Sequence, residues 1–209
     1  MKKLVILAVA TLFSGASMAQ QKTGLKVGVN LPKYSYGADN ANNGETGTTT
    51  NFHVTGYIDR PLSTNFSIQP GISLQGKGGR FVNTTNFEVE ENTMWIEVPV
   101  NLLVKAPVGT GGNFFFGGGP YGALAIAGQR KTETNTTKTE TDIEFGDENG
   151  DDLKGSDFGV NLLGGFQMSS GLNLSAGYGL GLTDLRPNSS GGQGKQTNRV
   201  LSFSVGFSF

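Results

Sequence analysis

Hydrophobic and polar residues alternate one by one along most of this chain, in eight stretches separated by polar or glycine-rich connections. A period of two sends successive side chains to opposite faces of a β-strand, so each stretch predicts a strand with one apolar face. The first, 25–34, aligns Leu25, Val27, Val29 and Leu31; the second, 51–58, aligns Phe52, Val54 and Ile58. The third, 66–76, carries Phe66, Ile68, Ile72 and Leu74. The fourth, 94–105, is the most regular, with Ile96, Val98, Val100, Leu102 and Val104. The fifth, 114–127, has Phe114, Phe116, Leu124 and Ile126, and the sixth, 157–168, has Phe158, Val160, Leu162, Phe166 and Met168. The seventh, 172–183, gives Leu172, Leu174, Tyr178, Leu180 and Leu182. The eighth, 198–209, gives Leu201, Phe203, Val205, Phe207 and Phe209. Most are longer than the usual strand of about 5–6 residues and match the 9–11 that a tilted strand needs to cross a bilayer.

The opposite face decides between a soluble barrel and a membrane barrel. It carries Gly28 and Asn30, Ser67 and Ser73, Gly159 and Asn161, Gly177 and Gly179, Ser202, Ser204, Gly206 and Ser208: small groups, almost all uncharged. Only Lys26, Glu97, Lys105 and Asp157 bring charge to it, while 22 of the 33 charged residues fall in four long connections, 35–51, 77–93, 128–156 and 184–198. A solvated face would carry Lys and Glu; a cramped interior carries Gly, Ser and Asn. The apolar face is therefore expected to meet lipid. Long connections alternate with the short ones at 59–65, 106–113 and 169–171, as extracellular loops alternate with periplasmic turns. The fold expected is all-β: an eight-stranded antiparallel up-and-down transmembrane β-barrel with long extracellular loops, closed because an unpaired edge is costly in hydrocarbon. Phe66, Phe114, Phe116, Phe207 and Phe209 are expected at the periplasmic interface, Phe52 and Tyr34 at the outer one, with Lys33 and Arg199 reaching outward from outer strand ends.

The start of the chain has a different character. Lys2 and Lys3 precede the apolar run Leu4 to Phe13, and Ser17-Met18-Ala19 offers a small-x-small cleavage site. This layout predicts a signal peptide over 1–19 and a barrel domain over 20–209. Ten apolar residues rise only about 15 Å as a helix, half the core of a bilayer. Glycine, at 33 of 209 residues, is more than twice its usual share, and cysteine is absent. The absence removes disulfides, thiolate zinc sites and a cysteine nucleophile. The net charge of −1 gives no electrostatic support for a nucleic-acid partner.

Several short motifs resemble the PorT-like outer-membrane β-barrel family: Trp95-Ile96-Glu97-Val98-Pro99-Val100, Gly119-Pro120-Tyr121 before Leu124, Asp157-Phe158-Gly159 with Gly164-Gly165, and Tyr178-Gly179-Leu180-Gly181-Leu182-Thr183. The resemblance spans nearly all of 22–209. It implies an integral protein of the bacterial outer membrane, inserted by the barrel-assembly machinery through a C-terminal strand ending in Phe209. Some members of that family are accessory to protein secretion, a role that the resemblance attaches to no residue here.

Candidate chemistry is sparse. His53 is the single imidazole and faces inward on the second segment; a catalytic role would require a nucleophile and an orienting acid beside it on one accessible face. Glu97, inside a narrow barrel, requires a nearby cation, for which Lys26 is the first candidate and Lys105 the second. Asp147, Asn149, Asp151 and Asp152 form an acidic knot, yet Asp152 and Phe158 stand where a calcium loop needs Gly and Glu, so the knot reads as a solvated loop, with weak divalent-cation binding as the alternative. The Thr-rich run 131–141 suits a hairpin projecting beyond the membrane. Gly109-Thr110-Gly111-Gly112 and Ser190-Gly191-Gly192-Gln193-Gly194 read as turns, since no Walker-type Lys follows. No catalytic, cofactor-binding or metal-binding residue is assigned. The function expected is a non-enzymatic barrel with a side-chain-filled lumen and a structural, interaction or assembly role. Its contacts would be outer-membrane lipids and lipopolysaccharide, and a protein partner at loop 128–156. A lipid-modifying enzyme and a narrow solute channel are the alternatives.

Overall fold

The computed structural model describes residues 21–37, 44–84, 87–148, 150–188 and 195–209. The segment 1–20, with its expected signal peptide, lies outside the described residues, as do Asn149 and 189–194. Nine strands follow in chain order: β1 (Lys22–Tyr36), β2 (Asn51–Pro61), β3 (Phe66–Thr84), β4 (Phe87–Val108), β5 (Gly112–Thr134), β6 (Lys138–Asp142), β7 (Ser156–Met168), β8 (Leu172–Gly181) and β9 (Gln196–Ser208). Each of the eight expected segments lies largely within one strand; β6 is an addition inside the third long connection. The sheet runs β4-β3-β2-β1-β9-β8-β7-β5, and a further β4–β5 pairing closes it. Every pairing is antiparallel, including the seam where β1 meets β9 from Gly24↔Ser208 to Tyr36↔Gln196. Phe209 exchanges both backbone hydrogen bonds with Thr23, which extends that seam to the chain end. The result is a closed eight-stranded meander, and β6 adds to it only above, on the outer half of β5.

The two faces sort as a membrane barrel requires. Leu25, Val27, Val29, Ile96, Leu102, Phe114, Phe116, Leu124, Phe158, Phe203 and Phe207 are exposed around the outside. Asn30, Thr55, Ser67, Ser73, Asn101, Asn173 and Ser204 are buried inside. In water this arrangement would forfeit roughly 1.5–3 kcal/mol for each large apolar side chain left exposed. Against lipid that loss disappears, and closure pairs the backbone groups that hydrocarbon would leave unsatisfied. Glycines admit the bulky inward groups: a side chain at Gly24 would strike the Tyr57 ring, and one at Gly159 the Tyr121 ring.

Height is uneven. The apolar band ends near Leu74, Ile96 and Ile126, but β3, β4 and β5 continue outward for another eight or so residues, so the wall projects on one side. Two irregularities bend it. Ile126 is an extra residue on β5 between the pairs Trp95↔Ala125 and Met94↔Ala127, and Phe81 is extra on β3 between Arg80 and Val82. Such bulges sharpen the local twist and re-aim side chains. At the periplasmic end the β4–β5 turn uses Gly109 in the left-handed region, φ 53°, which supports the turn reading of that segment.

The outer mouth is plugged. Ile143, Leu153 and Leu185 fold down from the third and fourth long connections onto Tyr34, Trp95, Tyr121 and Ala123, forming one apolar cluster. Phe145 packs its ring edge-on against Trp95 at 5.9 Å. Tyr34 therefore does not belong to an outer aromatic girdle. It is fully buried, on the inward face with Asn30 and Pro32, and its ring rests on Phe81. Lys33 pairs with Glu45 of the first loop, and Arg199 donates to the carbonyls of Gly181 and Asn198.

Candidate functional site

Below the plug, the lumen holds the groups on which any chemistry would depend. Its centre is Lys77, on the inward face of β3 in line with Ser73 and Gln75. Its ammonium lies 3.0 Å from Glu97 Oε2 and 3.0 Å from Asp157 Oδ2, all three side chains being almost wholly buried. Asp157 Oδ2 also accepts hydrogen bonds from the Tyr121 hydroxyl at 3.1 Å and Asn198 Nδ2 at 2.9 Å. Glu97 Oε1 accepts from Asn161 Nδ2 at 3.0 Å. The ammonium sits over the Tyr121 ring, 4.3 Å from its centroid, and 5.5 Å from that of Trp95.

This corrects the expected pairing of Glu97. Lys77 had fallen in the long connection 77–93, but the strand runs on past it and carries it inside. Lys26, the first expected partner, acts on Glu97 only across the lumen. Lys105, the second candidate, pairs instead with Asp59 at the periplasmic end. There Tyr57, Ser208, Gln167 and Asn173 close a hydrogen-bonded layer, with Tyr57 and Ser208 hydroxyls 2.8 Å apart. The inward charges thus include Lys77 and Asp59 beside the four read from the sequence.

A third charged layer lies above the membrane band. Arg130 of β5 bonds Glu91 Oε1 of β4 at 2.7 Å and Asp152 Oδ1 of the third loop at 2.9 Å, so it ties the plug to the wall. Burial pushes the Glu91 carboxyl above its ordinary range, and the Arg130 guanidinium pulls it back. The rest of the acidic knot is used within the loops. Asp147 accepts from the backbone and side-chain amides of Asn188, and Asp151 accepts from the Glu148 backbone amide. No cluster suited to a metal ion occurs among the described residues.

His53 faces inward on β2, as its parity requires, and is 3% exposed. Its Nδ1 lies 2.7 Å from Asn30 Oδ1 and its Nε2 2.8 Å from Ser204 Oγ. Serine, imidazole and a third polar group are in line, but the third group is an amide. His53 and Ser204 face a lumen cavity of about 60 Å³, separate from a second of about 20 Å³ below it; Lys26 borders both. The first has room for a few waters and the second for about one. Replacing His53 by Phe would strand Asn30 Oδ1 and Ser204 without their imidazole partner, so a loss of about 1–3 kcal/mol is expected in urea unfolding of the refolded protein. A midpoint equal to that of the native chain would show that the imidazole bonds hold nothing.

The largest projecting feature is the sheet made by the outer parts of β4, β5 and β6. Gln129–Glu133 pair with Lys138–Asp142, so the Thr-rich run does form a hairpin. All five residues of β6 are exposed, and among the described residues its far edge pairs with no other strand.

A search of curated proteins gives no significant match. Among solved structures, the attachment invasion locus protein Ail of Yersinia pestis aligns over 91% of this chain and 99% of its own, at 8% identity and a TM-score of 0.46. Neisserial surface protein A aligns over 90% and 97%, at 9% identity and a TM-score of 0.44. The family model described as outer membrane protein beta-barrel domain matches residues 18–186, most of the closed meander with its lipid-facing exterior. The chain belongs to that family, and it is a β-barrel of the bacterial outer membrane.

Proposed function

We propose that this protein is a non-enzymatic barrel that presents the β4–β5–β6 sheet to a protein partner outside the membrane. The observation that carries this reading is the free edge of β6, raised above the lipid on two long strands. An extended segment of a partner can add to such an edge through main-chain hydrogen bonds. The lumen supports the same reading from the other side. Among the described residues it is filled by paired charges and capped by apolar loop residues, which favours an interaction role over conduction or lipid chemistry. The His53–Ser204–Asn30 line is read as structural because a scissile ester would have to enter a cavity of about 60 Å³. The motifs shared with PorT-like barrels suggest protein secretion as the setting, and insertion through the strand ending at Phe209 as the route of assembly.

The test is a photo-crosslinking residue at Thr139 in native envelopes, beside a variant in which 132–141 is replaced by a two-residue turn. Ile143, Phe145 and Leu153 stay in place, since they plug the mouth. One discrete adduct from Thr139, with loss of the same protein from pull-downs of the trimmed barrel, is expected. An adduct-free Thr139, or an unchanged pull-down after trimming, removes the reading.

A further inference from the structure

On the outer face of the wall, just above the apolar band, a second feature lies apart from the β6 edge. A cleft of about 500 Å³ opens between the β4–β5 bulge and the start of the third loop's descent into the mouth. That volume is in the range of small-ligand sites. Its floor is apolar, with Met94 and Ile126, and its rim is polar, with Asn51, Asn92, Gln129 and Asp142. Asn51 and Asn92 hold each other: Asn51 Nδ2 donates to Asn92 Oδ1 at 3.1 Å. Gln129 and Asp142 stand directly opposite each other across β5 and β6, both exposed, and neither side chain hydrogen-bonds within the described chain.

The chemistry of the rim selects among ligands. Among the described residues lining the cleft there is no Lys, Arg or His, while Asp142 contributes a carboxylate and Asn92 leans on Glu90 at 2.7 Å. A phosphate or carboxylate group would meet repulsion without a counter-charge. A sugar fits: its hydroxyls both donate and accept, as amides and a carboxylate require, and its CH face can lie on Met94 and Ile126. Position selects the source. Ile126 still faces lipid, and Gln129 follows only three residues above it, roughly 10 Å of strand. The cleft therefore opens at headgroup level. We propose that it binds uncharged sugar units of outer-leaflet glycolipid.

The structure supplies a reporter. Trp95 is the only tryptophan, and Phe145, which lines the cleft, packs against its ring. The refolded protein would be placed in phosphatidylethanolamine vesicles with or without digalactosyl diacylglycerol, and separately titrated in detergent with free digalactose. A saturable change in Trp95 emission with the galactolipid is expected, with a weaker response to the free sugar. Phosphatidylglycerol vesicles should give none. Replacing Gln129 and Asp142 together by Ala should weaken the galactolipid response by about tenfold or more, the loss expected for two hydrogen-bonding groups. Both side chains are exposed and unbonded, so the barrel should keep its resistance to detergent unfolding. No saturable response to the galactolipid, an equal response to phosphatidylglycerol, or an unweakened double variant overturns the proposal. A response to free digalactose alone overturns the glycolipid as source.

Discussion

Replacing Lys77 by Met is expected to cost about 3–5 kcal/mol, the range found when one partner of a buried ion pair is removed and the other stays charged. Here two carboxylates are left facing each other. Glu97 and Asp157 keep Asn161, Tyr121 and Asn198 as donors but lose the ammonium in contact with both. The measurement is the urea midpoint of the mature chain refolded into vesicles. The variant carrying Met at 77 together with Glu97→Gln and Asp157→Asn is the informative control. It removes the stranded charges and keeps most of the volume, so most of the lost stability should return. If the single substitution left the midpoint unmoved, the two carboxylates would have to be solvated or neutral, and the central network would not hold the barrel. If the triple variant were no better than the single one, the contact of the Lys77 ammonium with the Tyr121 and Trp95 rings would carry the effect instead of its pairing with the carboxylates.

Why Lys77 escaped the sequence while Glu97 did not is a matter of solvent. Within the membrane band one face of each strand must be apolar, so the alternation is written into the residue types, as in Ile96, Val98, Val100 and Leu102. That contrast ends where lipid ends. Beyond Leu74 the inward line continues through Gln75 and Lys77, but the outward line is Gly76 and Gly78, and no hydrophobic partner marks the strand as continuing. Extending the parity of Ser73 by four residues would have put Lys77 inside. Tyr34 shows the same limit: its position matches Asn30 and Pro32, but its aromatic character suggested a girdle. The short strand β6 carries no alternation at all, since both its faces meet water; only its threonines hinted at extension. The plug residues leave the faintest trace. Ile143, Leu153 and Leu185 are single apolar residues among charged neighbours, and nothing in the local pattern says that loops so far apart fold over one mouth.

That plug sets the second large effect. Ile143 and Leu153 are almost fully buried, and they cover Trp95 from above together with Leu185. Changing both to Asp would place two carboxylates in an apolar cluster whose neighbouring cations are already engaged, Arg130 by Glu91 and Asp152 and Lys77 by Glu97 and Asp157. Each change forfeits roughly 2–5 kcal/mol of packing, before the desolvation of the new charge is counted. The cheaper response is for the loop to lift out of the mouth, because the wall beneath it is held independently by the Lys77 network and the closed ladder. The expected result is a barrel that still resists detergent unfolding, but with Trp95 emission shifted to the red and quenched severalfold more strongly by acrylamide. Arg130→Ala in the same background should add little to the quenching, since its tie to Asp152 is already broken once the loop has left; its further cost falls on the wall, where Glu91 loses its guanidinium. A barrel that fails to refold would mean that the plug is needed to assemble the wall. Unchanged quenching would mean that Trp95 is shielded by Tyr34 and Tyr121 alone. A double variant that unfolds only at the mouth places the loops as a lid on a lumen that stands without them.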